Sequence, residues 1–263
     1  MGANPRAWLN RGLLVLAVVA AGLLVVALPA IPAWAKAAIL LAGLAGGIAA
    51  AFRHIPAFDV LGRVHWRVPG GRARVCALTF DDGPSADTAR LLDILARHQV
   101  KATFFVLADN ARRHPEVLQR LAAEGHTVAV HGKSHAKLHR ASEAEIEHEL
   151  AAALRQLAEL HVTPARLFRP PHGLKNLALL RVARKLGFRI WAWSRGIWDT
   201  DGPPPEVLVS RATRFARSGM VLLLHDGRGN EDRPNIEPML SALPHILERL
   251  RARGFGFVTL DRV

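Results

Sequence analysis

The chain has 263 residues, half of them hydrophobic, and its 35 Lys plus Arg against 22 Asp plus Glu give a formal charge of +13. That apolar content excludes a disordered chain, and the length accommodates one domain of about 200 residues plus a further segment. The single cysteine, Cys76, excludes an internal disulfide.

Residues 1–58 contain no Asp or Glu and four basic residues, Arg6, Arg11, Lys36 and Arg53. Between Gly12 and Phe52 the sole charge is Lys36, and Pro29 and Pro32 interrupt the apolar run near its middle. A membrane helix needs about 20 apolar residues. The run therefore divides at the prolines into two spans, about 12–28 and 33–52, a transmembrane helical hairpin. Gly43, Gly46 and Gly47 would let the two helices approach closely in lipid. The competing reading is a secretory signal peptide: Arg6 and Arg11 form its n-region, Leu13 to Leu28 its h-region, and Ala33-Trp34-Ala35 its cleavage site. It leaves the apolar stretch after Lys36 unexplained.

Arginines before the first span, and Arg53, Arg63, Arg67, Arg72 and Arg74 after the second, place both ends of the hairpin on the cytoplasmic side of a bacterial inner membrane. A single span would put the rest of the chain outside. Residues 59–74, with Pro69-Gly70-Gly71, read as a linker, and 75–263 as the folded domain. Residues 59–263 carry 31 basic and 22 acidic side chains, a net +9 that suits an anionic membrane or a phosphorylated lipid headgroup. No arginine-rich or aromatic-interleaved motif points to nucleic acid.

Seven short apolar runs follow: 75–80, 102–107, 127–130, 167–168, 188–193, 221–224 and 255–260. Amphipathic stretches separate them. The clearest is 142–160, opened by a Ser142-x-x-Glu145 capping box and carrying Ile146, Leu150, Leu154 and Leu157 at helical spacing. Alternating strands and helices predict an α/β fold with a parallel sheet, and seven repeats predict closure into a (β/α) barrel. Chemistry in such barrels sits at the carboxyl ends of the strands. The polar residues there are Asp81 and Asp82, His131 and His135, Arg169, Asp199 and His225.

His131 and His135, four apart, would share one face of a helical turn and suit a single metal ion. The Asp81-Asp82 pair can add one carboxylate ligand and leave a second beside the metal. Two histidines and one Asp leave coordination positions open for water and substrate, as a catalytic site requires. The uncommitted Asp can then take a proton from water as the nucleophile forms. Amide hydrolysis also needs a proton for the departing amine, and His225 is placed to give it. Alternatively, His225 is a buried structural histidine and Asp226 an ordinary loop acid.

The residues fall in short motifs: Thr79-Phe80-Asp81-Asp82-Gly83-Pro84, His131-Gly132-Lys133-Ser134-His135, Arg169-Pro170-Pro171-His172-Gly173, Asp199, and Leu222-Leu223-Leu224-His225-Asp226. From about Val75 to Leu260, their order and spacing resemble the five motifs of the polysaccharide deacetylase family, the NodB-homology esterases of carbohydrate esterase family 4. The resemblance implies a distorted (β/α) barrel and metal-dependent removal of an N- or O-acyl group, usually acetyl, from a sugar. It implies that Asp81 is the general base and that Asp82, His131 and His135 bind the metal. It further implies that Arg169 holds Asp81, the backbone N–H of His172 helps bind the oxyanion, His225 is the general acid, and Asp199 orients the catalytic pair.

Three departures from the family pattern concern the groove. Gly132 stands where Ser or Thr is usual, removing a hydroxyl that would brace the loop. His172 replaces the usual Tyr, and the stretch Trp193 to Thr200 keeps Asp199 but has Gly196 and Thr200 where Asp and Trp are common. Trp191, Trp193 and Trp198 are candidates for a sugar-stacking wall; Trp191 and Trp193 equally suit one layer of the core, because alternate strand residues share a face.

The expected function is a membrane-anchored, metal-dependent hydrolase that removes an acetyl or formyl group from an amino sugar. Its expected partners are the membrane and a glycan or polyprenyl-phosphate-linked sugar, with no nucleic acid. One divalent ion is the expected cofactor, with zinc the default for such ligands and cobalt, nickel or manganese the alternatives. A catalytically silent carbohydrate-binding protein on the same fold is a second reading, favoured by the altered fourth motif. A two-histidine, one-carboxylate iron oxygenase is a third, and it leaves Asp81 and His225 without a role.

Overall fold

Each of the seven apolar runs forms a parallel strand, and the longer ones are buried on both faces, as a sheet covered by helices requires. The computed structural model describes residues 31–54, 64–69 and 73–263. After helix α1 (Ala33–His54) the order is β1 (Val64–His65), β2 (Val75–Asp81), α2 (Thr88–Arg97), β3 (Thr103–Leu107), α3 (Ala108–Arg113), α4 (Pro115–Ala123), β4 (Thr127–Gly132) and α5 (Glu143–Glu159). It continues with β5 (Leu167–Phe168), α6 (Leu177–Lys185), β6 (Arg189–Trp191), β7 (Arg195–Gly196), α7 (Pro205–Thr213), β8 (Met220–His225), α8 (Glu237–Ala252) and β9 (Gly256–Phe257).

The expected closed barrel of seven repeats is instead a curled nine-stranded sheet, ordered β1-β6-β5-β4-β3-β2-β8-β7, with β9 also on β2. Among the described residues no β1–β7 ladder closes it. The reason lies in residues 189–196, which supply strands near both ends of the sheet. β6 pairs with β5 and β1, β7 pairs with β8, and between them Ala192 N–H donates to His65 O at 2.7 Å and Ser194 N–H to Val221 O at 3.1 Å. The stretch thus crosses the seam as two broken pieces. β1 lies in the stretch expected to be a linker, where Val64 and Val68 are buried.

Alternation along the strands divides the core in two. Ala77, Phe105, Ala129, Leu167, Trp191 and Val221, one from each of six strands, plug the inside of the curl. Cys76, Leu78 and Phe80 on β2 point the other way into the larger core, where Phe80 stacks on Phe104 at 4.9 Å. The expected first membrane span, 12–28, lies outside the described residues. The second is seen as α1, and among the described residues no helix is long and apolar enough to cross a membrane.

Helix α5 starts where its capping box places it. Ser142 Oγ accepts from Glu145 N–H at 3.3 Å, while Glu145 Oε2 accepts from Ser142 N–H at 2.7 Å. Ile146, Leu150 and Leu157 are buried on one face, with Leu154 partly so. Ser142→Ala should therefore lower stability by about 1 kcal/mol, read as a reduced urea midpoint with an unchanged slope.

Candidate active site

The site is the last layer of the inner face. Two or four residues beyond the residues that plug the curl, on the same side of each strand, come Thr79 and Asp81, His131, Arg169, Trp193, and Leu223 with His225. Strand periodicity and parallel direction together bring these side chains to one end. They line a cavity of about 790 Å³ with Asp82, His135, His172, Trp198 and Arg228, while Thr79 and Arg169 lie beneath it.

Arg169 is wholly buried under the floor, its guanidinium 4.1 Å from the centre of the Phe105 ring. Nη1 donates to Asp81 Oδ1 at 2.7 Å and to Thr79 Oγ1 at 2.8 Å, Nη2 to Ala192 O at 2.9 Å, and Nε to Trp191 O at 3.3 Å. Burial pulls the pKa of Arg169 down while Asp81 opposes it, and the guanidinium remains charged. One oxygen of Asp81 is thereby fixed. The other, Oδ2, stands 3.9 Å from His131 Nε2.

Asp82 faces the histidines directly: its Oδ1 is 3.3 Å from His131 Nε2 and 3.2 Å from His135 Nε2. His131 Nδ1 lies 2.7 Å from the carbonyl of Arg169, which can only accept, so Nδ1 carries the proton and Nε2 presents a lone pair. Burial holds His135 down at about 4, leaving it neutral at pH 7. Burial would raise the Asp82 carboxyl, but His131, then His225 and His135, hold it well below the usual range. Asp82 Oδ1 is buried without a hydrogen-bond partner among the described residues. A carboxylate oxygen converging with two imidazole nitrogens, the ligand atoms within 4.8 Å of one another, fits a divalent cation.

The expectation that His131 and His135 share a helical turn is not met. His131 ends β4 and His135 lies in a loop at φ +60°, with the rings 5.4 Å apart. Gly132, at φ +107°, turns the chain out of the strand. The brace expected to be lost there comes from elsewhere. Glu149 Oε1 on α5 accepts from Lys133 N–H at 3.1 Å, Ser134 N–H at 2.8 Å and Ser134 Oγ at 2.8 Å.

His225 closes the opposite wall. Its Nδ1 donates to Asp199 Oδ1 at 2.9 Å and its N–H to Asp199 Oδ2 at 2.7 Å, so Nε2 is left to the cavity. Burial opposes the charged imidazole, but Asp199, with help from Asp82 and Asp81, raises His225 to about 10. His172 sits at φ +60° with its ring 4.3 Å from that of His135. The three tryptophans separate: Trp191 is buried in the inner core, while Trp193 and Trp198 line the cavity.

Residues outside the expected set hold Asp82 in place. Gly229 N–H donates to Asp82 Oδ2 at 2.9 Å, which leaves Oδ1 for the histidines. Asn110 on α3 donates to Asp82 O at 2.6 Å and to Gly229 O at 2.8 Å. No local spacing marks either residue. Asp226 turns away from the cavity: buried, it accepts from Thr88 Oγ1 at 2.8 Å and packs so tightly on Gly83 that a Cβ there would meet its Oδ2 at 1.9 Å.

A curled parallel sheet carrying paired carboxylates, converging histidines and a buried arginine at its carboxyl end is suited to metal-assisted hydrolysis. The polysaccharide deacetylase family model matches residues 69–191. The chain is 32% identical over 205 residues to a peptidoglycan-N-acetylglucosamine deacetylase of Bacillus cereus, covering 77% of this chain and 93% of that protein. It is 35% identical over 207 residues to a chitooligosaccharide deacetylase of Rhizobium leguminosarum bv. trifolii, covering 73% and 93%. A solved peptidoglycan N-acetylglucosamine deacetylase, in complex with 4-naphthalen-1-yl-N-oxidanyl-benzamide, superposes with a TM-score of 0.71 at 30% identity, covering 76% of this chain and 92% of that one. The chain belongs to the polysaccharide deacetylase family, whose peptidoglycan and chitooligosaccharide deacetylases are amide hydrolases.

Burial, with Asp82 and Asp81 nearby, raises Asp226 to about 7 although Thr88 opposes the shift. A carboxyl bound more tightly to its proton in the folded state stabilises the fold at low pH, and that contribution is lost as pH rises from about 4 to 7. Asp226→Asn should flatten the pH dependence of the unfolding free energy in that window, measured by urea titration at each pH.

Proposed function

We propose that this chain removes the acetyl group from N-acetylated amino sugars of a glycan, with a divalent metal ion held by Asp82, His131 and His135. The observation that carries the reading is the division of labour between adjacent carboxylates. Asp82 Oδ1 meets two imidazoles, whereas Asp81 has Oδ1 tied to Arg169 and Oδ2 left toward the cavity. Zinc is the default ion for this donor set. When bound, it supplies Lewis acidity that polarises the amide carbonyl and acidifies water.

The rest of the chemistry belongs to the chain. Asp81 takes the proton of the attacking water, and the Arg169 guanidinium holds it oriented. His225, across the cavity, gives a proton from Nε2 to the leaving amine, and Asp199, accepting from Nδ1, stabilises the imidazolium that carries that proton. His172 lines the cavity, and its backbone N–H is the donor for the carbonyl oxygen as charge develops there. Trp193 and Trp198 offer apolar faces for a sugar ring. A silent carbohydrate-binding role does not account for a base, an acid and a ligand set all facing one cavity.

The related peptidoglycan and chitooligosaccharide deacetylases support an oligomeric or polymeric amino-sugar substrate. For a wall glycan the domain must lie outside the membrane, the arrangement expected of a single N-terminal span. A cytoplasmic domain, the arrangement set by the flanking arginines of a hairpin, goes instead with a lipid-linked amino sugar. We expect an alkaline phosphatase fused after Val263 to be active; a silent phosphatase with a fluorescent fusion at the same site would favour the lipid-linked substrate.

The central test is release of acetate from N-acetyl chitooligosaccharides and peptidoglycan, with bound metal measured in parallel. Asp82→Ala, His131→Ala and His135→Ala should each lose metal and turnover together, whereas Asp81→Asn should keep the ion and lose at least about a hundredfold in kcat. If Asp81→Asn loses the metal and Asp82→Asn retains it, the roles are reversed.

His225 supplies a pH test. Its raised pKa keeps it protonated through neutral pH, and activity should fall once pH passes its ionisation. A cation at the Asp82 site offsets the carboxylates that raise it, so the limb in the holoenzyme lies below 10. Asp199→Asn removes the main source of the shift and should move the alkaline limb of kcat/KM to lower pH. An unmoved limb would take His225 out of the acid role.

A further inference from the structure

At the end of the sheet opposite the cavity, a groove of about 360 Å³ is lined by Trp66, Arg67, Arg195, Phe215, Arg217 and Met220. Trp66 is 41% and Phe215 57% exposed. Arg67 stands 5.5 Å from the Trp66 ring, and Arg195 and Arg214 stand 5.5 and 5.0 Å from the Phe215 ring. Among the described residues no acidic side chain lines the groove. Exposed aromatic rings set among unopposed arginines match the boundary of an anionic bilayer, where such rings sit at headgroup level and each cation adds attraction.

Chain continuity points to the same partner. Helix α1 exposes Trp34, Leu41 and Leu44, and after its end at His54 the chain enters the sheet at Val64, two residues before Trp66. The apolar N-terminal segment therefore joins the domain beside the groove and not beside the cavity. Strand β8 measures the separation. Met220 at its amino end lines the groove and His225 at its carboxyl end, about 17 Å on at roughly 3.3 Å per residue, lines the cavity, while on β7 the groove's Arg195 adjoins Gly196 of the cavity wall.

We propose that the Trp66–Phe215 groove rests on an anionic phospholipid bilayer, so that the catalytic cavity opens away from the membrane. The contact itself is independent of the chemistry in the cavity. Its consequence for substrate choice rests on the deacetylase reading: the cavity reaches a glycan standing off the bilayer and not an amino sugar at headgroup level.

The full chain, reconstituted into vesicles, carries a nitrobenzoxadiazole fluorophore at Phe215→Cys or at Lys137→Cys, an exposed position two residues beyond the cavity-lining His135. Native Cys76 is fully buried and stays unlabelled. In phosphatidylglycerol vesicles the emission from position 215 should shift to shorter wavelength, and that from position 137 should not. In phosphatidylcholine neither should shift. Adding Arg195→Gln, Arg214→Gln and Arg217→Gln to the 215-labelled chain should abolish the shift, since each arginine contributes roughly fivefold to binding.

A shift at position 137, or equal shifts at 215 in the two lipids, would overturn the orientation. A shift at 215 produced by soluble polyglutamate without vesicles would assign the groove to an anionic polymer and overturn it as well. Acetate release from chitotetraose is scored on the same preparations. Loss of the spectral pattern with release intact refutes the groove alone, whereas the pattern without release from the unsubstituted chain refutes the deacetylase reading alone.

Discussion

A guanidinium without any exposed surface sets the geometry on which the site depends. Arg169 donates to Asp81, Thr79, Ala192 and Trp191, and so ties β2, β5 and the crossing stretch 189–196 together beneath the cavity. Burying a charge is tolerable only when its donors are met, and breaking such a pair costs about 3–5 kcal/mol because a buried charge is left behind. The Arg169 carbonyl meanwhile fixes the tautomer of His131. One residue therefore orients the proposed base through its side chain and a proposed metal ligand through its backbone, which couples the two carboxylates' tasks to a single position in β5's exit.

Backbone strain is concentrated around that coupling. Among the described residues, six that are not glycine have positive φ, and four of these are Asp82, His135, His172 and Trp198. Such conformations each cost on the order of 1–3 kcal/mol and persist only where surroundings impose them. Asn110 and Gly229 impose that of Asp82, and the loop before His135 is held by Glu149. The fold thus spends packing and hydrogen bonds from α3 and α5 on aiming side chains that the strands alone would leave at their ends.

Much of this was legible in the sequence because it follows from period and direction. The seven apolar runs are seven of the nine strands, and the polar residues at their ends converge because parallel strands all stop at one end. What stayed hidden has a common cause. β1 and β7 are two residues each, Val64-His65 and Arg195-Gly196, too short and polar to show a period. The i, i+4 spacing of His131 and His135 suggested a helix because spacing alone cannot tell a helical turn from a strand followed by a sharp loop. Asn110 and Glu149 act through contacts 28 and 15 residues or more away in the chain, which no local pattern records. The departure at Gly132 was visible, but the compensation by Ser134 and Glu149 required the fold.

The placement of sulfur has a consequence of its own. Cys76 is wholly buried on the outer face of β2, where burial pushes its thiol up to about 12, and Met220 and Met239 are almost as inaccessible. Among the described residues, then, no sulfur atom offers an oxidant an easy target, since both sulfenic acid formation and sulfoxide formation need exposure. The side chains assigned to the candidate chemistry are carboxylates, imidazoles and a guanidinium, with no thiol among them. Such a catalyst tolerates peroxide and changes in thiol redox state that would silence an enzyme dependent on a reactive cysteine, whichever compartment it works in.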